Sequence, residues 1–191
     1  MMLDYRKYWE LAIDYHQYKI DFESKKENAA ELQYGEYIAL NHHRSERIEK
    51  RLIIDSEIQE ILKKIPQQHW LVISEHWCGD AAQTVPIMNK LVESSQGKIK
   101  IKLIYRDVYP ELIDAHLTNG GKAVPKIIQS NHEMQFIRDW GPRPAEAQKL
   151  VKELRSNPET ASNYAEPLHK WYALDKQKST MKELINLARI L

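Results

Sequence analysis

The sequence has only one cysteine among its 191 residues, and it lacks both a long apolar run and a surplus of charge of one sign. One cysteine cannot form an internal disulfide, so nothing supports an oxidising compartment. No apolar stretch approaches the roughly 18 residues that a membrane-spanning helix needs. The 28 basic and 27 acidic residues leave a net charge of +1, which favours neither nucleic acid nor an anionic membrane as a partner. We therefore expect a cytoplasmic protein without nucleic-acid or membrane partners.

Several catalytic and targeting signatures are also missing. Asp4 comes early and no apolar run follows it, so we expect no secretory signal. The sequence contains no Gly-rich phosphate loop, no Gly-x-Ser-x-Gly elbow and no His-Glu-x-x-His motif. His42 and His43 are adjacent, so we expect their rings to point apart, and we predict no metal site.

The middle of the chain alternates strand and helix signals. Residues 98–105 alternate apolar and lysine side chains, which is typical of a half-buried strand. Apolar runs and helical spacing predict the other elements in this order: a strand at 70–73, a helix at 81–93, the strand at 98–105, a short helix at 110–117, strands at 124–129 and 134–138, and a helix at 144–154. This order predicts an α/β fold with a mixed central sheet.

Both ends of the chain are predicted to be helical. We divide the chain into an N-terminal helical extension at 1–55 that packs on the core, a central domain at 56–157 and a C-terminal helical extension at 158–191. One face of the first helix carries an aromatic-rich stripe made of Tyr5, Tyr8, Trp9, Ala12, Tyr15 and His16. The stripe either packs on the core or forms a dimer or partner surface. Thr180 and Glu183 have the spacing of a capping box that starts a helix in the C-terminal extension.

Cys78 follows a predicted buried strand and precedes a predicted helix. Unpaired N–H groups and the helix dipole favour a thiolate at a helix N-terminus, so we expect a reactive, partly exposed thiol. A protonated His76 would lower the thiol pKa further, whereas the charge of Asp80 would raise it. The alternative is that Cys78 is only a small buried apolar residue.

The five residues from Trp77 to Ala81, with the sequence Trp-Cys-Gly-Asp-Ala, resemble the Trp-Cys-Gly-Pro-Cys site of thioredoxins. Further landmarks of that family occur at matching spacing: Pro86 in the active-site helix, Asp107 and Pro110 after the next strand, Val124-Pro125 at the position of a cis-proline, and Gly141 after it. The resemblance implies a thioredoxin-like fold over residues 56–157, with extra helices at both ends. The chain is similar to a cytosolic branch of that superfamily with a single-cysteine site.

The resemblance also implies roles for individual residues. Cys78 is the expected nucleophile, and Asp80 is either an acid–base group beside it or a favourable charge in the first helical turn. Trp77, Gly79, Val124 and Pro125 are expected to line the substrate groove. The backbone of Val124 would pair with an extended peptide.

Three substitutions depart from the thioredoxin pattern. Ala81 replaces the second cysteine, which in a dithiol enzyme resolves the mixed disulfide. Val72 replaces the buried aspartate that moves protons, and Leu103 replaces the buried lysine on the neighbouring strand. We therefore do not expect dithiol reductase turnover.

Two functions stay open from the sequence, and the enzyme class with them. In the first, Cys78 forms mixed disulfides with protein or small-molecule thiols by a monothiol mechanism, as part of cell redox homeostasis. Glutathione is then a candidate small thiol, and we predict no other cofactor. In the second, the domain is a non-catalytic module that binds peptides or proteins. A weaker third idea is an iron–sulfur cluster shared by two protomers, and a homodimer is left open.

Two sets of charged residues have alternative interpretations. Arg44, Arg47 and Lys50 share a helix face, which is either solvated or borders the cysteine and binds the carboxylates of a small thiol. The glycine matched to the family is flanked by Arg138, Asp139, Trp140 and Arg143, which either rim the groove or form a structural ion pair.

Overall fold

The computed structural model describes residues 3–190, and these form a four-stranded sheet surrounded by helices. The helices are α1 at Tyr5–Leu11, α2 at Tyr15–Glu27, α3 at Gly35–Arg51, α4 at Ser56–Leu62, α5 at Gly79–Ser94, α6 at Pro110–Asp114, α7 at Ala145–Ser156, α8 at Ala165–Asp175 and α9 at Lys178–Arg189. The strands are β1 at Gln68–Ser74, β2 at Ile99–Tyr105, β3 at Lys126–Asn131 and β4 at Phe136–Trp140. None of the described helices is long and apolar enough to cross a membrane.

The sheet is mixed and has the strand order β2-β1-β3-β4. β1 pairs in parallel with β2 and antiparallel with β3, and β3 pairs antiparallel with β4. The parallel pair is joined by α5, as a parallel connection requires a crossover. This arrangement confirms the predicted α/β fold with a mixed central sheet.

The apolar core is continuous from the sheet into both helical extensions. Residues 70–73 of β1 are fully buried, because helices or loops cover both faces of this central strand. Tyr8, Tyr18 and Phe22 from the N-terminal part belong to the same buried cluster, as does Leu184 from α9. The extensions therefore pack on the sheet, while the domain boundaries at 55/56 and 157/158 stay a prediction.

The single aromatic-rich helix predicted at the N-terminus is wrong, because it is broken between α1 and α2. The backbone of Ile13 exchanges two hydrogen bonds with Leu103, at 2.9 and 2.7 Å, and so adds one bridge to the edge of β2. Asp14 then caps α2 by accepting a hydrogen bond from the Gln17 N–H at 2.8 Å. The backbone of Ile13 therefore forms its hydrogen bonds with the edge of β2 and does not continue the helix.

The capping box predicted at Thr180 and Glu183 is also wrong. The helix α9 begins two residues earlier, and Thr180 is buried within it. Glu183 instead accepts hydrogen bonds from the Trp140 indole N–H and from the Ala145 N–H, both at 2.7 Å. This carboxylate therefore ties α9 to β4 and to the start of α7.

Candidate functional site: the surroundings of Cys78

Cys78 lies at the turn between β1 and α5 and is the N-cap residue of that helix. Its N–H donates to the Glu75 carbonyl at 3.1 Å, which closes the turn, and its carbonyl accepts from the Ala82 N–H at 3.1 Å. The predicted position at a strand-to-helix junction is thus confirmed.

The sulfur of Cys78 faces the segment before β3. Its thiol donates a hydrogen bond to the Val124 carbonyl oxygen, and the Sγ–O distance is 3.0 Å. The Val124–Pro125 peptide bond is cis, as the resemblance implied. The residue is only 8% exposed and belongs to the apolar core cluster, so the expected partial exposure is wrong.

The pKa of the Cys78 thiol is raised to about 12, first by burial and then by the negative charge of Asp80. The N–H groups of Ala81 and Asp80 and the positive charge of Arg143 act in the opposite direction. The helix N-terminus therefore stabilises a thiolate as expected, but loss of solvation outweighs it. The sequence left the net direction of the thiol pKa shift open, and in the structure burial and Asp80 raise it.

His76 does not act as the charged neighbour of the thiol that the sequence allowed. It is 2% exposed, and its Nε2 lies 2.8 Å from an Asp21 carboxylate oxygen and 3.0 Å from the Tyr105 hydroxyl. Burial lowers the pKa of His76, although Asp21 opposes this shift. The His76 side chain therefore links α2, through Asp21, to β2, through Tyr105.

Asp80 lies in a buried ion pair within the first turn of α5. The Arg143 Nε lies 3.1 Å from both carboxylate oxygens, and the Tyr172 hydroxyl donates to Oδ1 at 2.7 Å. The Arg143 guanidinium also donates to the Gln148 side-chain oxygen at 2.8 Å. Of the two interpretations of Arg143, the structure therefore supports the ion pair. Asp80 is a fixed negative charge beside the sulfur, and its role as an acid–base group stays a prediction.

The remaining predicted groove residues lie around this centre. The half-buried Trp77 ring contacts the Arg106 guanidinium, 4.7 Å from the ring centroid, and the Tyr34 ring, whose centroid lies 5.7 Å away. A Cβ on Gly79 would lie 2.8 Å from the His169 imidazole.

Gly141 has a positive φ of 119°, and a Cβ there would lie 2.3 Å from the Pro125 carbonyl oxygen, so this matched position requires glycine. The backbone of Gly141 therefore packs directly against the Pro125 carbonyl group.

Sequence analysis missed two residues that the C-terminal extension brings to the site. His169 and Tyr172 are three positions apart on α8 and so share one face of that helix. Tyr172 contacts an aspartate 92 positions earlier in the chain. The spacing within α8 was the only available signal, and it does not indicate which distant residue the face contacts.

The two apolar replacements of the thioredoxin proton-handling pair are neighbours in the sheet. Val72 on β1 pairs in register with Leu103 on β2, and both are 1% exposed or less. One buried charge without its partner would be costly, whereas replacing both by apolar residues is well tolerated. Val72 and Leu103 therefore replace both members of the charged pair, so neither charge is left buried without its partner.

Among the described residues, one group of possible metal ligands occurs on α3. Ligand atoms of His42, His43 and Glu46 lie within 4.8 Å of one another, so the expectation that the two histidines point apart is wrong. Glu46 follows them by four and three positions and reaches the same side of α3. However, the buried His42 Nε2 is already paired with Glu23 at 2.5 Å.

The family model described as “Thioredoxin” matches residues 28–155, about two thirds of the chain. This chain belongs to the thioredoxin-like superfamily. The match to the thioredoxin model includes α3, which lies in the predicted N-terminal extension. No curated protein matches the sequence.

Two solved structures share the fold over almost the whole chain. A protein of unknown function from Pseudomonas aeruginosa has a TM-score of 0.66 at 14% identity, and the alignment covers 97% of this chain and 96% of that one. A crystal structure of an HIV epitope-scaffold has a TM-score of 0.65 at 12% identity, covering 96% of both chains. At these identities the likeness shows the fold, and that fold includes the helical ends.

Proposed function

We propose that this thioredoxin-like protein carries out thiol–disulfide exchange through Cys78 alone, by a monothiol mechanism. The observation that supports this most is the Cys78 Sγ at the N-cap of α5, 3.0 Å from the Val124 carbonyl. Two N–H groups of the first helical turn approach the same sulfur and favour its thiolate. The thiol therefore lies where an extended disulfide substrate would compete for the Val124 backbone.

The proposed reaction needs a disulfide and a second thiol. Once the substrate has displaced the hydrogen bond to Val124, Cys78 loses its proton to water, and the thiolate attacks one sulfur of a disulfide RSSR′. The S–S bond of the substrate breaks, R′S⁻ leaves, and a mixed disulfide between Cys78 and R forms. Because Ala81 cannot resolve this adduct, the thiolate of an external thiol R″SH attacks the R sulfur, the S–S bond to Cys78 breaks, and Cys78 leaves as a thiolate while the disulfide RSSR″ is released. Protein disulfides and low-molecular-weight disulfides such as oxidised glutathione are the proposed substrates.

The raised thiol pKa makes exchange slow while the sulfur stays buried. A thiol with a pKa of about 12 has a very small thiolate fraction at neutral pH. The hydrogen bond to Val124 favours the protonated form as well, because only S–H can donate it. Exchange therefore requires the incoming substrate to displace this hydrogen bond, and we propose that the structure represents the closed, unreactive state.

This proposal is tested by incubating the folded protein with oxidised glutathione at about pH 8 and following the mass of the Cys78 peptide. We expect one glutathionyl adduct, formed slowly and removed by added thiol. The matched reference is the same chain unfolded in urea, in which the thiol is free. Exchange is rejected if the unfolded chain takes up the adduct and the folded chain takes up none over many hours.

A second candidate is a non-catalytic binding module, which the burial of Cys78 and the raised pKa of its thiol favour. In this case the surface around Trp77 and the segment of Val124 binds a peptide without chemistry at sulfur. Capture of the same partners by Cys78→Ser and by the unchanged protein would support this candidate. Capture that disappears with Cys78→Ser would reject it in favour of exchange.

A further inference from the structure

A pocket of about 420 Å³ lies between α3, the start of α5 and the connection from α8 to α9. Its lining includes the side chains of Arg44, Arg47 and Arg51 from α3, and of His169 and Lys176 from the C-terminal extension. No aspartate or glutamate is among the lining residues that the structure describes. The pocket is therefore strongly positive in a protein whose net charge is only +1.

Four side chains of this pocket are cations, namely Arg44, Arg47, Arg51 and Lys176. None of them has a carboxylate within 4 Å among residues 3–190. Three acids that lie close to these cations in the sequence are engaged elsewhere. Glu46 pairs with Lys50 at 3.2 Å, Glu49 pairs with Lys19, and Asp175 accepts from the Ser179 N–H and hydroxyl at the start of α9. Like charges at this spacing repel one another, and no carboxylate among the described residues forms an ion pair with any of these cations.

The deepest cation of the pocket is Arg44, which is half-buried. Its Nη1 donates to the Asn41 side-chain oxygen at 2.9 Å, and it lies 3.7 Å from where a Cβ on Gly79 would be. Burial without a counter-ion lowers the pKa of Arg44. Next to it, burial and the Arg44 charge lower the pKa of His169 to about 4, and the buried His169 Nδ1 has no hydrogen-bond partner in the described structure. An anion in the pocket would supply the counter-ion that Arg44 lacks.

We propose that this pocket binds a small anion with at least two negative charges, carried by phosphate or carboxylate groups. Guanidinium groups bind both kinds of group through paired N–H donors, and three arginines converge here. The volume suits a small molecule and not a macromolecule. The sequence suggested a row of Arg44, Arg47 and Lys50, but the structure places Arg51 in the pocket and pairs Lys50 with Glu46. This proposal holds whether or not Cys78 exchanges disulfides.

Isothermal titration calorimetry at constant ionic strength tests the proposal, with pyrophosphate and citrate as separate probes and chloride as the reference. Saturable binding of either probe is expected, and the tighter one identifies phosphate or carboxylate as the preferred group. Arg47→Gln and Arg51→Gln both remove exposed side chains, so they are expected to leave the fold intact and to weaken binding at least about tenfold.

The matched control is Lys50→Gln, which removes the same charge from the same helix outside the pocket. Its affinity for the probe is expected to equal that of the unchanged protein. Cys78→Ser is expected to bind equally well too, which separates this site from the proposed exchange reaction. No saturable binding of either probe, or equal weakening by Lys50→Gln and Arg51→Gln, would overturn the proposal.

Discussion

The sheet with α5 and the helical extensions both supply groups around Cys78, and the two regions supply different kinds. The sheet and α5 provide backbone groups: the N–H groups of Asp80 and Ala81, and the Val124 carbonyl. The extensions provide side chains, namely the Tyr172 hydroxyl on Asp80 and the His169 imidazole against Gly79. The central domain thus provides the hydrogen bonds of the sulfur and the Arg143 partner of Asp80, while α8 adds a second hydrogen bond to Asp80 and packs against Gly79.

The largest expected effect is that of Arg143→Ala, which removes the cation that the central domain, and not an extension, provides to Asp80. This change leaves the buried Asp80 carboxylate without its cation, and we expect a loss of about 3–5 kcal/mol in the free energy of unfolding. Urea denaturation measures it, with Arg138→Ala on β4 as the control, because Arg138 has no ion pair in the described structure. A loss below about 1 kcal/mol for Arg143→Ala would show that the pair is solvated.

A smaller effect is expected from Tyr172→Phe, which tests the contribution of the C-terminal extension alone. The change removes one hydrogen bond to a buried carboxylate and no apolar area, so we expect a loss of about 1.5–3 kcal/mol. Urea denaturation again measures the difference. Tyr164→Phe is a suitable control, since that half-buried ring packs against the small apolar cluster to which Tyr172 belongs, together with Ala147, Val151 and Leu168. An equal loss in both variants would mean that the bond to Asp80 contributes nothing of its own.

The raised pKa of Cys78 predicts a specific dependence of stability on pH. Because the thiol pKa rises from 9.0 to about 12 on folding, its contribution is complete below about pH 9 and is lost as pH rises toward 12. The stability difference between the unchanged protein and Cys78→Ser should therefore fall by about 2 kcal/mol between about pH 8 and pH 10.5. Chemical denaturation at both pH values measures this difference. A constant difference would show that the sulfur is not desolvated.

The smallest predicted change concerns Asp80→Asn and the reactivity of the thiol. Removing the negative charge lowers the thiol pKa, because Asp80 raises it and the remaining Arg143 charge lowers it. We expect alkylation of Cys78 by iodoacetamide at about pH 8 to become about tenfold faster. Circular dichroism verifies that the variant is folded. An unchanged or slower rate would indicate that burial alone controls the sulfur.

The scaffold was predictable because local patterns determine it. Alternation over residues 98–105 and the proline landmarks are short-range signals, and the structure has the corresponding strands, the α5 helix and the cis bond before Pro125. The bridge at Ile13 and the Tyr172–Asp80 contact were not predictable, because each depends on which distant segment meets which edge. Burial of the Cys78 sulfur was not predictable either, because it too depends on contacts between distant segments. The turn predicts a thiolate site, and only the packed structure shows that solvent is excluded from it.

The most direct test of this account is the rate of Cys78 alkylation in the unchanged, folded protein as a function of pH. A thiol that is buried and donates to Val124 should react slowly at neutral pH, and its rate should keep rising with pH beyond about 9 without reaching a plateau. A plateau reached between about pH 6 and pH 8 would mean that the thiol is already ionised near neutrality. That result would contradict the protonated resting thiol on which this account depends.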